Sequence, residues 1–401
     1  MNVLMISDVY FPRINGVSTS IETFRSDLHA IGVRSTLIAP EYPQREDDSR
    51  EDGIVRIPAR YLPMDPEDRM MKRAAIRAWL RDYRGPAFDL VHIQTPFVAH
   101  YMGIEIARML KLPVIASYHT YFEEYLYHYI PFLRREWLRG LARRFSRGQC
   151  NALDALIVPS RAMADTLRGY GVTSPMHILP TGLPADRYQG GDGDYFRNRY
   201  QIPKDRPLLL FVGRVAFEKN IPFLFEVTAR IRQQIPDVLL LVTGEGPALA
   251  DLRERTRSMG LDDNVRFLGY LDRRHELLDC YRAADLFVFA SRTETQGLVL
   301  LEAMALGTPA LALSIMGTRD ILEPAPREMT APEDASAFAN QAVALLKNPA
   351  RLAQLGEEAR SYARQWEARA MAERVARLYD NVCAGKPSAS LEVAGAQRAA
   401  A

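Results

Sequence analysis

Short apolar, β-branched runs alternate with amphipathic helical stretches along most of the chain, and the pattern occurs in both halves. This alternation predicts parallel strands joined by crossover helices, with helices on both faces of each sheet. The predicted strands of the first half are Asn2–Ser7, Arg34–Ala39, Leu90–Ile93, Val114–Tyr118 and Ala155–Pro159. Those of the second half are Pro207–Gly213, Val238–Thr243, Val265–Leu268, Leu286–Phe289 and Pro309–Leu313. We therefore predict an α/β fold of two doubly wound, Rossmann-like domains.

A stretch rich in Gly, Asp and Arg, GLPADRYQGGDGDYFRNRY, separates the two halves and has no apolar period. We place the N-terminal domain at residues 1–185 and the C-terminal domain at residues 194–365, with a linker between them. Two such domains in tandem are expected to face each other across a cleft, where the carboxyl ends of the strands bind ligands. Residues 386–401 are small and polar, which predicts a disordered tail.

Composition and charge exclude several classes of protein. A net charge of +2 over 401 residues gives no overall field for nucleic acid. The three cysteines are scattered without a CxxC pair, which is typical of a reducing compartment. The N-terminus lacks the features of a signal peptide, and no run approaches the ~18 apolar residues of a membrane span. We predict a cytoplasmic protein, and association with a membrane surface stays open.

Glu294 and Glu302 are separated by seven residues in the run SRTETQGLVLLEAMALGTPALA. Thr295–Gly297 is typical of a turn, and Leu298–Leu306 is a helix-forming stretch that ends before a Gly-Thr-Pro sequence. The amino end of this helix offers free N–H groups to a phosphate, and the two carboxylates can accept hydrogen bonds from sugar hydroxyls. Such a spacing alone is more often that of two solvated glutamates, so the surrounding motifs must decide.

Two cations follow the first predicted strand of the second half. Gly213 and Arg214 end that strand, and Lys219 lies five residues further on. An arginine fork and a lysine charge at the carboxyl end of a strand can neutralise a diphosphate. In the first half, Gly16 lies in a strand-to-helix turn where a phosphate can approach the backbone, although an ordinary connection has the same composition. This turn is not a GxGxxG motif, so it does not support nicotinamide binding.

These motifs together resemble those of the retaining GT-B glycosyltransferases, a large family that uses nucleotide sugars. The resemblance rests on NGV near the N-terminus, the histidine of SYHT, GRVAFEKN, ETQGLVLLE and the following GTP. It extends from Met1 to about Val382, and the order and spacing of the motifs make it specific. The family includes phosphatidylinositol mannosyltransferases and diacylglycerol glucosyltransferases, and YFPRINGVSTSI and SYHTYFEEY are most similar to the latter.

The resemblance implies a role for each matching residue. Arg214 and Lys219 would hold the donor diphosphate, Glu302 would accept hydrogen bonds from the ribose, and Glu294 would contact the transferred sugar. The implied donor site comprises Gly16, Arg214, Lys219, Arg266, Leu268, Glu294, Thr295, Gly297, Leu298, Val299 and Glu302. The implied catalytic residues are His119, Glu294, Arg214 and Lys219, of which His119 would line the sugar and acceptor site.

The resemblance also implies that a last helix, residues 366–385, crosses back onto the N-terminal domain. In one departure from the family pattern, the usual pair of glycines after a later strand is reduced to Gly317, which follows Met316. Stereochemical retention is implied by the family alone, through a same-face attack in which the departing phosphate takes the acceptor proton. The DxD sequence Asp192–Asp194 lies in the predicted linker, and we predict no requirement for a metal or a cofactor.

The segment Arg134–Arg147 combines an apolar ridge with six arginines and only one acid. The ridge consists of Leu133, Trp137, Leu141 and Phe145. A helix of this kind suits an anionic lipid surface, and equally suits a domain helix whose ridge packs on its own sheet. A second basic stretch, Met70–Arg84, favours the lipid surface.

We predict transfer of a hexose, glucose from UDP-glucose, to a lipid such as diacylglycerol at the cytoplasmic face of the membrane. The predicted partners are the nucleotide-sugar donor, the lipid acceptor and an anionic membrane surface contacted through Arg134–Arg147, with no nucleic acid. The alternatives are a soluble, polysaccharide or lipopolysaccharide acceptor, GDP-mannose as the donor, and a nucleotide-sugar binder without enzyme activity. The combination of Arg214, Lys219, Glu294 and Glu302 argues against the last of these.

Overall fold

In the computed structural model, the described residues are 1–13, 15–43, 52–62, 65–119, 135–184, 186–273 and 275–385, without the side chains of 62–68 and 135–139. The predicted tail at 386–401, the aromatic run after His119 and the first part of the apolar ridge lie outside what is described. The chain divides into two compact units. Unit 1 combines Met1–Gly182 with the chain from Ala368 onward, and unit 2 is Leu183–Glu367.

Unit 1 is built on a parallel sheet. Its strands are β1 (Asn2–Ile6), β2 (Arg34–Pro40), β3 (Ile54–Ile57), β4 (Ala59–Leu62), β5 (Asp65–Met71), β6 (Leu90–Ile93), β7 (Val114–Ser117), β8 (Ala155–Val158) and β9 (Met176–Ile178). Seven of them form the sheet in the order β3-β2-β1-β6-β7-β8-β9, and β4 and β5 form a separate antiparallel pair. The central strands are continuous apolar runs because helices cover both faces of a parallel sheet.

Unit 2 repeats this plan with six parallel strands. They are β10 (Leu208–Val212), β11 (Leu239–Thr243), β12 (Val265–Gly269), β13 (Leu286–Phe289), β14 (Ala310–Leu313) and β15 (Thr330–Ala331). Their order in the sheet is β12-β11-β10-β13-β14-β15. Because β10 and β13 are adjacent, the loops that follow these two strands leave the sheet side by side.

Helices follow most of the strands. Within the described residues they are α1 (Gly16–Ala30), α2 (Arg73–Asp82), α3 (Val98–Leu110), α4 (Arg135–Cys150), α5 (Arg161–Gly169), α6 (Gly193–Arg199), α7 (Ile221–Arg232), α8 (Leu249–Ser258), α9 (Glu276–Ala283), α10 (Leu298–Ala305), α11 (Thr318–Leu322), α12 (Ala335–Leu346), α13 (Pro349–Ala363) and α14 (Ala368–Cys383). Short 3-10 segments lie at Phe217–Lys219, Arg327–Met329 and Arg364–Trp366. The two-domain α/β architecture predicted from the alternating pattern is confirmed.

The predicted strands are confirmed to within one residue at each end, and so is the predicted helix at Leu298–Leu306. The stretch GLPADRYQGGDGDYFRNRY, which has no apolar period, contains the short helix α6, and all of α6 except Gly193 lies within the predicted C-terminal domain. Asp192 caps this helix by accepting a hydrogen bond from Tyr195 N over 2.9 Å, and Phe196 is buried. A helix of seven residues with so few apolar positions has no detectable period, which is why the sequence pattern did not reveal it.

Helix α14 belongs to the core of unit 1. Met371, Val375 and Leu378 are buried in the same cluster as Phe24 and Leu28 of α1. A buried polar chain also starts on this helix: the Tyr379 hydroxyl lies 2.8 Å from His92 Nδ1, and His92 Nε2 lies 2.9 Å from Ser117 Oγ. Strands β6 and β7 are therefore tied to the last described helix of the chain by hydrogen bonds as well as by packing.

We expect unit 1 to lose stability in mild acid. Burial lowers the pKa of His92 to about 3 and those of His100 and His119 to about 4, against about 6.5 in the unfolded chain. The three neutral imidazoles make their full contribution to the free energy of unfolding above pH ~6.5. This contribution is lost as the pH falls towards 4. Asp8 acts in the opposite sense, because burial raises its pKa to about 6 and its contribution is lost as the pH rises through that value.

The expected result is a fall of about 4–5 kcal/mol in the free energy of unfolding between pH 7.5 and pH 5. Chemical denaturation at the two pH values measures it. His100→Phe removes one of the buried imidazoles and should weaken the pH dependence. Equal unfolding free energies at pH 7.5 and pH 5 in the unmodified protein would contradict the prediction.

Candidate active site

An ion pair joins the loops that follow two neighbouring strands of unit 2. Lys219 ends the 3-10 segment after β10, and Glu294 lies in the loop after β13. Lys219 Nζ donates a hydrogen bond to Glu294 Oε2 over 2.7 Å, and each side chain is about one-fifth exposed. Burial lowers the pKa of Lys219, but the carboxylate of Glu294 outweighs burial, so the pKa is raised and the ammonium group stays charged.

Arg214 adds a second cation to the same end of the sheet. It lies two residues after the end of β10, and its charge acts electrostatically on Lys219. The backbone of Gly213, which precedes Arg214, packs closely against Gly244. A Cβ on Gly244 would lie 2.0 Å from the carbonyl oxygen of Gly213. The carboxylates of Glu294 and Glu218 also act on Lys219, and the two cations beside them are of the kind that can neutralise a diphosphate.

The loop that carries Glu294 packs against the loop after β14. Gly317 N donates to Glu294 O over 2.8 Å, and a Cβ on Gly317 would lie only 2.0 Å from Thr295 O. Met316 has a φ of 55°, a left-handed conformation that costs a residue other than glycine about 1–2 kcal/mol. Of the usual pair of glycines, this chain has only Gly317, and the close packing of the two loops requires a glycine at that position.

Glu302 is enclosed by other side chains of unit 2. Its carboxylate is 1% exposed on α10. Oε1 accepts hydrogen bonds from the Tyr188 hydroxyl over 2.7 Å and from Arg273 Nη2 over 2.9 Å. Oε2 accepts one from the Tyr281 hydroxyl over 2.8 Å. Sequence reasoning missed these three partners, and no spacing in the sequence indicates them.

The remaining donor-site residues predicted in unit 2 lie on β12 and at the start of α10. Arg266 Nη1 donates to Tyr200 O over 2.7 Å, and Leu268 packs against the core. Gly297 has a φ of 96° and precedes α10, whose first turn contains the partly buried Leu298 and Val299. The structure thus places the first turn of α10 directly after the loop of Glu294, whereas Arg266 is engaged with the end of α6.

In unit 1, Gly16 is the first residue of α1, and a Cβ added there would meet no atom within 4 Å. The protein itself therefore leaves open space over this glycine. Asn15 caps the helix by accepting from Ser18 N over 2.8 Å. Within the described part of the chain, the buried hydroxyl of Ser18 has no hydrogen-bond partner. A helix terminus with open backbone and a spare hydroxyl is suited to an anion.

His119 follows β7 and lines a small pocket of unit 1 together with Gln94, Thr95 and His100. Its Nε2 lies 3.4 Å from Gln94 Oε1. Burial lowers the pKa of His119 to about 4, so the imidazole is neutral at neutral pH. A neutral ring at this position can exchange hydrogen bonds with a hydroxyl group but carries no charge for a phosphate.

Two family models match the chain. One described as Glycosyltransferase Family 4 matches residues 14–187, and one described as glycosyl transferases group 1 matches residues 193–362. The alpha-monoglucosyldiacylglycerol synthase of Streptococcus pneumoniae (strain ATCC BAA-255 / R6) is 33% identical over 325 residues, which are 78% of this chain and 71% of that protein. The chain belongs to the glycosyl transferases group 1.

Two further proteins are similar to this chain. The GDP-mannose-dependent alpha-mannosyltransferase of Mycobacterium tuberculosis (strain CDC 1551 / Oshkosh) is 29% identical over 81% of this chain and 82% of its own length. Among solved structures, a sucrose-phosphate synthase from Thermosynechococcus elongatus superposes with a TM-score of 0.78 at 22% identity, covering 96% of this chain and 100% of the other. The resemblance to GT-B glycosyltransferases close to the diacylglycerol glucosyltransferases is confirmed, and the chain is a glycosyltransferase.

Two further features of this glycosyltransferase concern membranes and metals. None of the described helices is long and apolar enough to cross a membrane. Over the same residues, no group of three or more His, Cys, Asp or Glu side chains converges as metal ligands do. The DxD residues have structural contacts instead, because Asp192 caps α6 and Asp194 Oδ2 accepts from Lys204 Nζ over 2.8 Å.

Proposed function

We propose that this glycosyltransferase transfers glucose from UDP-glucose to a membrane lipid such as diacylglycerol, with retention at the sugar. The observation that carries the proposal is the Lys219–Glu294 ion pair beside Arg214 at the carboxyl ends of β10 and β13. The choice of lipid and sugar is supported by the 33% identity to an alpha-monoglucosyldiacylglycerol synthase. No metal or cofactor enters the proposal.

The reaction breaks the bond between the anomeric carbon and the β-phosphate oxygen, and negative charge develops on the departing diphosphate. Arg214 and Lys219 would stabilise that charge in positions fixed before the reaction begins, together with the free N–H groups at the start of α10. The acceptor hydroxyl would attack from the same face and pass its proton to the departing phosphate. Glu294 would hold a sugar hydroxyl, and the neutral His119 would bind a hydroxyl of the sugar or acceptor.

Incubating the protein with UDP-glucose or GDP-mannose and vesicles that contain diacylglycerol tests the proposal. We expect a hexosyl-diacylglycerol from UDP-glucose, identified by mass spectrometry, with the α configuration in its NMR spectrum. A product from GDP-mannose would instead support the activity of the mannosyltransferase relative, which is 29% identical. Transfer only to soluble or polysaccharide acceptors would refute the lipid assignment.

Contact with an anionic membrane is proposed for helix α4. The buried positions of its described part are Ala142, Ser146, Gln149 and Cys150. Leu141, in contrast, is 50% exposed, and Arg143 and Arg144 are exposed beside it. Leu141 therefore does not pack on the sheet of unit 1. An exposed leucine among exposed arginines supports a surface that lies on anionic lipid.

We expect the double variant Arg143→Glu/Arg144→Glu to bind vesicles containing anionic lipid about 30-fold more weakly, since each basic residue contributes roughly 1 kcal/mol. Cosedimentation with anionic and with neutral vesicles measures the change. The matched control is Arg230→Glu/Arg257→Glu, which makes the same charge change at two exposed arginines of unit 2. If both variants sediment like the unmodified protein, α4 is not the contact surface.

A further inference from the structure

The carboxylate of Glu302 has little capacity left for a ligand. A carboxylate oxygen offers two lone pairs, and Oε1 already accepts from Tyr188 and Arg273. Oε2 accepts only from Tyr281 and keeps one position free. A ribose that presents two neighbouring hydroxyl groups needs a position on each oxygen. One of the two donors on Oε1 must therefore leave before such a ribose can bind both oxygens.

The three donors differ in how firmly they are held. Tyr281 is fully buried in α9 within the core of unit 2, so its hydroxyl is fixed. Tyr188 and Arg273 lie outside helices and strands and are only partly buried. Arg273 forms an ion pair with Glu302, so removing it from the carboxylate would leave two largely buried charges without their partners, whereas Tyr188 is an uncharged phenol. Tyr188 is therefore the donor that a ligand can replace at the lowest cost.

We propose that Tyr188 competes with the donor ribose for Glu302, and that nucleotide binding replaces the Tyr188 hydrogen bond. This inference rests on the proposed function, in which Glu302 binds the ribose. Arg273 keeps its bond to the carboxylate over 2.9 Å. Tyr188 thus protects a buried carboxylate while the site is empty and lowers the affinity for nucleotide by the strength of its own bond.

The position of Tyr188 in the chain gives the exchange a second consequence. The same segment is fixed at its start, where Leu183 N donates to Trp366 O over 2.7 Å. At its end, Asp192 N donates to Asp279 Oδ1 over 2.6 Å. Between these anchors, the bond of Tyr188 to Glu302 links the segment to α10. Release of Tyr188 by the ribose therefore removes the hydrogen bond that links this segment to α10, while Arg282 Nε still donates to Gly190 O over 3.0 Å.

The variant Tyr188→Phe tests the exchange because it removes the hydroxyl and keeps the ring. We expect it to bind UDP about tenfold more tightly in calorimetry, which corresponds to one hydrogen bond to a charged group of about 1.5 kcal/mol. The matched control is Tyr200→Phe, which removes a phenol-to-carboxylate bond of 2.7 Å to Glu276 elsewhere in unit 2 and should leave the Kd unchanged. Equal or weaker binding of UDP by Tyr188→Phe overturns the proposal.

A nucleotide that lacks the ribose hydroxyls shows whether Tyr188→Phe acts by removing the competition for Glu302 or by changing the structure of the site in general. For UDP that lacks both the 2′ and 3′ hydroxyls, Tyr188→Phe and the unmodified protein should have the same Kd, because nothing displaces Tyr188. Tighter binding of this analogue by the variant also refutes the exchange. If the unmodified protein binds neither UDP nor GDP, the proposed function itself fails. If it binds one of them and the variant gains nothing, only the exchange fails.

Discussion

Replacing Lys219 with methionine is expected to lower kcat for sugar transfer by about 10²- to 10³-fold, the usual cost of removing one fixed group that stabilises developing charge. Lys219 is held 2.7 Å from Glu294, and the raised pKa of the lysine keeps it charged. Methionine preserves most of the side-chain length but cannot stabilise the departing diphosphate. The loss should fall on kcat at saturating donor and acceptor, because the charge is needed most in the transition state.

The matched control is Lys204→Met. Lys204 Nζ also pairs with a carboxylate over 2.8 Å, that of Asp194, but this pair is exposed on the surface of unit 2. Its removal should leave kcat unchanged. Initial rates with both substrates varied give kcat and KM separately. A Lys219→Met enzyme with the original kcat would show that the ion pair is not part of the catalytic site.

The second large effect is expected for Gly317→Ala. The new Cβ would lie 2.0 Å from Thr295 O, a distance at which the backbone must move. The loop that shifts also carries Glu294, which accepts a hydrogen bond from Gly317 N. Overpacking of this kind costs about 1–3 kcal/mol of stability. A displacement of about 1 Å at Glu294, the carboxylate proposed to bind the sugar, can reduce kcat/KM by about 100-fold.

Thermal unfolding and steady-state kinetics measure the two parts of this prediction. Gly169→Ala is a suitable control, because a Cβ at that position meets no atom within 4 Å. It should leave both stability and activity close to their original values. Original activity in Gly317→Ala would contradict the role assigned to the contact between the two loops.

The strands and the charged motifs were predictable for the same physical reason, which is that each is contained in a short piece of sequence. Buried runs such as Leu208–Val212 are recognisable from apolar composition alone. Five strands were missed. Of these, β3, β9 and β15 have four residues or fewer and lie at the edges of the parallel sheets, where burial leaves a weaker pattern. The other two, β4 and β5, form a separate antiparallel pair, and the charged sequence DPEDRMM of β5 lacks the apolar run of a buried strand. Arg214, Lys219 and Glu294 were found because their loops carry recognisable motifs.

The surroundings of Glu302 could not be predicted in this way. Its partners Tyr188, Arg273 and Tyr281 lie 114, 29 and 21 residues away in the chain, and only the fold brings them to one carboxylate. The sequence assigned Glu302 a ligand through the resemblance and could not show that protein groups already occupy its oxygens. The roles assigned to the individual site residues stay predictions until the variants are measured.

The placement of α14 has a consequence for the order in which the protein is made. Unit 1 receives its last helix only after Leu183–Glu367 has been translated. At ribosomal rates this interval lasts about 10–40 s. Throughout it, the apolar side chains of Phe24 and Leu28 lack Met371 and Leu378, their partners in the finished core. The nascent chain therefore exposes an apolar surface on unit 1 while unit 2 emerges. Chaperones that bind exposed apolar surfaces should associate with the chain during this interval.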